Sequence, residues 1–129
     1  MASIRREVTL HAPLHQVWDA LRDVGALHTR LAPGFVIDTK LEDGARIVTF
    51  GNGMVVKELI VDIDEQQHRV SWAAVGTQLK HHNASFQLFQ ETDNRTDGVW
   101  IADVLPHEAA PNIAAMIEQG LAAMKRVFG

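Results

Sequence analysis

The hydrophobic pattern of the chain changes its period twice, and the changes mark the predicted elements. Residues 3–10 alternate between apolar and polar, with Ile4 and Val8 on the same face, which predicts a strand with one face in water. Over 12–23 the apolar residues instead recur at helical spacing, and a second short helix over about 25–31 should end before the next Pro-Gly pair. The N-terminal quarter therefore predicts one strand followed by two helices.

The middle of the chain consists of short apolar runs that are separated by turn residues. Glycine, asparagine and aspartate mark the turns, for example Glu42-Asp43-Gly44 and Gly51-Asn52-Gly53. The predicted strands cover 35–40, 45–50, 54–63, 68–75, 80–90 and 98–105, with a polar link over 92–98. Strands that follow one another through hairpin-length links predict an antiparallel meander, because parallel strands need long crossovers.

After Pro106 the period returns to that of a helix, which we predict over about 107–127. Its apolar stripe contains Ile113, Met116, Ile117, Gly120, Leu121 and Met124. The predicted fold is α+β in the order β-α-α-β6-α: a curved antiparallel sheet of six to seven strands that wraps around this C-terminal helix. One helix cannot fill the concave face of such a sheet, so we expect a cavity that binds a small, mostly apolar molecule.

Composition narrows the classes of function. The 129 residues fit one domain, over 1–129, and carry a formal net charge of −4 without a cluster of Lys and Arg, so no nucleic-acid partner is expected. The chain has no cysteine, no apolar run long enough for a membrane span and no secretion signal, which predicts a cytoplasmic protein.

Neither a metal nor a cofactor is expected. His11 and His15 are four residues apart, but Pro13 lies between them at a strand-to-helix turn. His81 and His82 are neighbours on a strand, so their side chains diverge.

The order of elements and several local sequences resemble the helix-grip superfamily. This superfamily (SRPBCC) includes START-like lipid-transfer domains, the birch-pollen-allergen fold and bacterial polyketide cyclase/dehydrase-like proteins, and the resemblance covers nearly the whole chain. The segments that carry it are Val17-Trp18-Asp19-Ala20-Leu21-Arg22-Asp23, Val56-Lys57-Glu58-Leu59-Ile60-Val61-Asp62-Ile63-Asp64, His68-Arg69-Val70-Ser71-Trp72 and Gly98-Val99-Trp100-Ile101-Ala102-Asp103-Val104-Leu105-Pro106. The resemblance implies the fold and an apolar ligand, and it leaves the ligand open, because one fold hosts many functions.

Glu58 is the first candidate site residue, although two lines of reasoning disagree about its direction. Alternation favours turning the more apolar neighbouring face, Val55 to Ile63, toward the core and Glu58 toward water. The resemblance implies the opposite, because plant abscisic-acid receptors of this fold carry a pocket glutamate at the matching position. A glutamate in an apolar cavity has a raised pKa and can anchor a ligand or act as an acid, and replacing such a lone carboxylate with Gln should stabilise the empty protein.

His82 is the second polar candidate, because alternation places it on an apolar face near the mouth of the cavity. A neutral imidazole there could hydrogen-bond a ligand or accept a proton near neutral pH. The expected walls of the ligand site are Trp72, Phe86, Trp100, Ile113, Ile117, Leu121 and Met124.

Three functions remain open at this point. The first is binding of a small apolar ligand of a lipid-, polyketide- or hormone-like kind. The second is a cyclase or dehydratase-like enzyme in which Glu58 and His82 transfer protons. The third is a partner protein that forms a homodimer through Val55, Leu59, Val61 and Ile63, which would be exposed if Glu58 faces inward.

Overall fold

Residues 2–129 are described by the computed structural model, which contains one curved sheet, two α-helices and two short helical turns. The strands are β1 (Ala2–Leu10), β2 (Val36–Glu42), β3 (Ala45–Phe50), β4 (Val55–Asp64), β5 (Arg69–Val75), β6 (His81–Thr92) and β7 (Arg95–Leu105). The helices are α1 (Leu14–Arg22) and α2 (Ala110–Phe128), with a π-helical turn over Leu27–Leu31 and a 3₁₀ turn over His107–Ala109. The predicted α+β fold, with its sheet and long C-terminal helix, is confirmed.

The seven strands form one antiparallel sheet in the order β1-β7-β6-β5-β4-β3-β2. Consecutive strands from β2 to β7 are neighbours, as expected for a meander, and β1 pairs with β7 as the edge strand opposite β2. The β2–β3 hairpin turns through Asp43 and Gly44, and Gly44 has a φ of +71°, which a residue without Cβ adopts at little cost. Local turn chemistry therefore sets the register of this hairpin.

The predicted boundaries differ from the observed ones by up to three residues, and the two largest differences are at the start of an element. The polar segment 92–98 is not all a link, because β6 runs to Thr92, β7 begins at Arg95, and two residues make the turn. Polar residues can extend a hairpin whose end faces water, and the one buried polar residue of the segment, Thr96, is satisfied by its hydroxyl, which donates to the carbonyl of Ala12 over 2.8 Å. The C-terminal α-helix begins at Ala110 and not at residue 107, because a 3₁₀ turn precedes it.

Helix α2 covers the concave face of the sheet and packs against β1. Its buried side chains include Ile117, Leu121 and Met124. At Gly120 the helix comes so close to the sheet that a Cβ atom would lie 2.9 Å from Cζ3 of Trp100. The absence of a side chain at this position allows the helix to lie against the indole ring.

The direction predicted for β4 from alternation alone was wrong. Glu58 is only 7% exposed, whereas Val55 and Val61 on the more apolar face are 63% and 58% exposed. A bulge between Ile60 and Asp62 also shifts the register, so that Ile63 pairs with the buried Val70, although Ile63 itself is still 37% exposed. The inner side of β4 therefore carries a carboxylate, and part of its outer side is apolar.

Candidate functional site

A cavity of about 50 Å³ lies between the concave face of the sheet and α2. Most of its lining is apolar, and three ionisable side chains interrupt it. The lining residues are Leu21, Leu27, Leu31, Ala32, Phe35, Val36, Arg46, Val48, Phe50, Glu58, Trp72, His82, Phe86, Trp100, Met116 and Met124. The cavity has the composition of a site for a small apolar molecule that carries a few polar groups.

An ion pair between Arg46 and Glu58 forms part of the cavity wall. Arg46 of β3 and Glu58 of β4 are direct partners in the antiparallel register, and Arg46 Nε donates to Glu58 Oε1 over 2.8 Å. Arg46 is 3% exposed, and its guanidinium carbon lies 5.3 Å from the centroid of the Trp72 ring. Hydrogen bonding, charge pairing and a cation–π contact thus hold both ionised groups in one place.

Burial raises the pKa of Glu58, and the charge and hydrogen bond of Arg46 act against this shift. The cause is desolvation, because an ionised carboxylate loses its water shell inside an apolar cavity. Arg46 compensates the carboxylate with a full opposite charge. Ligand binding or a change of pH that disturbs this pair would therefore change the protonation of Glu58.

His82 of β6 lines the same cavity, on the side of β6 that carries Ala84 and Phe86. Burial lowers the pKa of His82, and the neighbouring His81 lowers it further. A buried imidazole is easier to keep neutral than charged, so it can both donate and accept hydrogen bonds at neutral pH. The structure thus brings His82 to the same cavity as Glu58, while the roles of both residues stay predictions.

The aromatic residues that were expected to form the walls do line the cavity. Trp72, Phe86 and Trp100 meet edge to face, with ring centroids 5.8 Å apart for the two tryptophans and 6.0 Å for Phe86 and Trp100. They stand on adjacent strands, so their rings form one continuous aromatic surface.

Helix α2 contributes a different row of residues from the expected one. Of the four predicted, only Met124 lines the cavity; Ile113, Ile117 and Leu121 belong to the hydrophobic core around it. The residues of α2 that line the cavity are Met116 and Met124, one helical row with Gly120 between them, and Ile113, Ile117 and Leu121 form the adjacent row. Both rows lie on one apolar stripe, and only packing against the sheet decides which row faces the cavity.

Arg46 is the polar site residue that the sequence-based reasoning missed. Its position in the alternating pattern of β3 could have revealed it. Alternation places Arg46 on the same side of the strand as Val48 and Phe50, and both of these are buried. A cation on a buried face needs a carboxylate nearby, and in a meander Glu58 on the next strand could provide one.

Residues 2–129 contain neither a metal-binding cluster nor a membrane-spanning helix. No group of three His, Asp or Glu side chains in this range is arranged to hold a metal ion. No helix in the same range is long and apolar enough to cross a membrane.

Comparison with known proteins then gives the family. A family model described as polyketide cyclase / dehydrase and lipid transport matches residues 1–129. The chain belongs to this family. A search of curated proteins finds no match. The description of this family agrees with ligand binding in a hydrophobic cavity, with a cyclase reaction as the alternative.

Solved structures of similar fold agree with the family. Protein XoxI from Bacillus cereus is similar with a TM-score of 0.88 and 16% identity, over 99% of this chain and 96% of that chain. The Zhui aromatase/cyclase from Streptomyces sp. R1128 is similar with a TM-score of 0.70 and 19% identity, over 98% of this chain and 90% of that chain. A START superfamily protein from Mycobacterium smegmatis is similar with a TM-score of 0.71 and 12% identity, over 97% of this chain and 98% of that chain. At these identities the likeness establishes the fold.

Proposed function

We propose that the protein binds one small, mostly apolar molecule between the sheet and α2, with the Arg46–Glu58 pair as its polar anchor. The observation that carries this proposal is a buried ion pair on the wall of an otherwise apolar cavity. Such a pair adds little net stability, because desolvation of two charges offsets their attraction. Recognition of a polar group on the ligand therefore explains the buried pair better than stability does.

The size of the cavity requires adjustment when a ligand enters. About 50 Å³ holds a few water molecules, whereas sites for drug-sized ligands measure roughly 300–1,000 Å³. Met116 and Met124 line the cavity and have flexible, unbranched side chains that adopt new rotamers at low cost. We therefore expect these two methionines to move aside for a ligand.

A proton-transferring enzyme, such as a cyclase, is the second candidate. The observation that favours it is that His82, whose pKa is lowered by burial, shares the cavity with the acid Glu58, whose pKa is raised by burial. Two groups with opposite shifts suit acid and base roles. In such an enzyme, His82→Gln would abolish turnover of a cyclising substrate and leave its binding within about threefold.

Titration with Nile red, a neutral dye whose apolar aromatic body carries one ring carbonyl, tests the binding function. We expect one dye per chain in the wild type and at least about tenfold weaker binding in the double variant Arg46→Met/Glu58→Met, because the polar anchor is gone. The matched control is Glu42→Met/Lys57→Met, which removes an exposed ion pair of 3.3 Å from the outer side of β2 and β4. Equal affinities for the two double variants, or no binding to the wild type, would refute the proposal.

Two further predictions about partners and location also belong here. We propose that any homodimer would use the outer side of β4, where Val55, Leu59 and Val61 are exposed. Ile63, the fourth residue of the predicted surface, is also exposed, at 37%, but the bulge shifts its register relative to the other three. Sedimentation of the wild type and of Val55→Lys would test the dimer, and fractionation of the host cell would test the predicted cytoplasmic location.

A further inference from the structure

The indole N–H of Trp100 is a buried donor without an acceptor. Trp100 lines the cavity and is 8% exposed, and its Nε1 atom has no hydrogen-bond partner within residues 2–129. Trp18 shows the usual arrangement, because its Nε1 donates to Glu65 Oε2 over 2.7 Å. A buried N–H without a partner is rare, since it gives up its hydrogen bonds to water and gains none in return.

The position of the ring places Trp100 in the wall of the binding region. Trp100 stands on β7, and the far edge of its indole, Cζ3 and Cη2, lies against Gly120 of α2. The indole therefore crosses the space between sheet and helix, where the cavity lies. The adjacent rings of Trp72 and Phe86 meet it at 69° and 68°, but an aromatic face is a weak acceptor compared with an oxygen atom.

The fixed charges of the cavity restrict the polar group that a ligand can bring. Arg46 and Glu58 compensate each other, so the pair has no net formal charge. An anionic ligand would add an unpaired negative charge to the apolar interior, and an ammonium group would add an unpaired positive one. An amine would also bring further donors to Trp100, which needs an acceptor. A neutral group with an accepting oxygen matches both conditions.

We propose that Trp100 determines specificity: when a ligand enlarges the cavity, the indole N–H of Trp100 donates to the oxygen of a neutral ligand whose apolar body carries a ketone or ester carbonyl. This inference rests on the proposed binding function and adds the chemical class of the ligand's polar group. The aromatic ring contributes wall area for any apolar ligand, whereas the N–H contributes only when the ligand has an acceptor.

A matched series of ten-carbon probes tests the inference: 2-decanone, decane, decanoate and decylamine, each competing with Nile red. We expect Trp100→Phe to weaken 2-decanone about five- to tenfold, the worth of one hydrogen bond, and to change decane less than about twofold. Trp18→Phe is the control, because it removes the same kind of indole N–H donor from a residue that does not line the cavity. The wild type should bind 2-decanone more tightly than decanoate or decylamine.

Each other outcome is informative. Equal losses for 2-decanone and decane would reduce Trp100 to a packing residue, and tighter binding of decanoate or decylamine would refute the neutral carbonyl class. If Nile red binds and no probe displaces it, the inference fails while the binding function stands; if nothing binds, both fail. The indole N–H resonance of Trp100 in the wild type provides a readout that needs no folded variant: it should move downfield with 2-decanone and not with decane, and an unmoved resonance on saturation would overturn the inference.

Discussion

Glu58 of β4 lies directly opposite Arg46 of β3, with 2.8 Å between Arg46 Nε and Glu58 Oε1. The two strands bring the side chains to the same inner side, because directly paired residues of antiparallel strands point the same way. Their pairing explains how a carboxylate can occupy an apolar cavity. It also reverses what one expects from substitutions at Glu58.

The first prediction concerns the stability of this pair. Glu58→Gln should lower the free energy of unfolding by about 3–5 kcal/mol, because it leaves the buried guanidinium of Arg46 without its counter-charge. If Glu58 were a lone carboxylate, the same substitution would raise the free energy of unfolding, because Gln would remove the cost of burying an unpaired charge. Urea unfolding of the variant measures the change.

The double variant provides the matched comparison for this prediction. Arg46→Met/Glu58→Met should unfold within about 1 kcal/mol of the wild type or be more stable, because apolar side chains of similar volume replace a desolvated pair. A double variant that is less stable than Glu58→Gln would contradict the assignment of the loss to an unpaired charge.

The second prediction concerns acid sensitivity through His82. Burial lowers the pKa of His82 below its usual 6.5, so below this value the unfolded chain binds more protons than the folded one. Its contribution to stability is therefore present above pH 6.5 and is lost as the pH falls through the folded-state pKa. His82→Gln should make stability less dependent on pH between about pH 5 and pH 7. The control His107→Gln alters an exposed histidine, and an identical pH dependence in both variants would show that His82 is not responsible.

The third prediction enlarges the cavity. Met124→Ala removes a buried side chain from the wall, which should cost about 2–5 kcal/mol of stability and tighten binding of Nile red. Tighter binding is expected because the dye then fills space that a methionine must otherwise vacate. Met54→Ala, at an exposed position, should change neither quantity. Weaker dye binding by Met124→Ala would place the site elsewhere.

The fourth prediction tests the packing of α2 on the sheet. Leu121→Asp puts an unpaired charge into the core and should cost several kcal/mol, which thermal or urea unfolding would detect. Gln119→Asp on the exposed side of the same helix serves as the control. Similar melting temperatures for the two variants would mean that Leu121 is not a core residue.

The sequence by itself determined the order of elements, the antiparallel meander and the long apolar helix. Each of these depends on local regularities: a period of two for β1, a period of 3.6 for α2, and turn residues such as Asp43-Gly44 between strands. Alternation also decided which residues share a side of a strand, and so grouped His82 with Phe86 correctly.

Only the tertiary structure decided which side of β4 is inside. Alternation places Glu58 opposite in direction to Leu59, but it cannot say which of them faces the core, and counting apolar residues favoured the wrong one. The decision depends on Arg46, twelve positions earlier, which the strand register brings opposite Glu58. The helical period likewise could not predict which residues of α2 line the cavity, because Met124 and Leu121 share one apolar stripe. The close approach of the helix to the sheet at Gly120 sets the rotation of the helix. A period is local, whereas the burial of a charge and the position of a cavity depend on partners from distant parts of the chain.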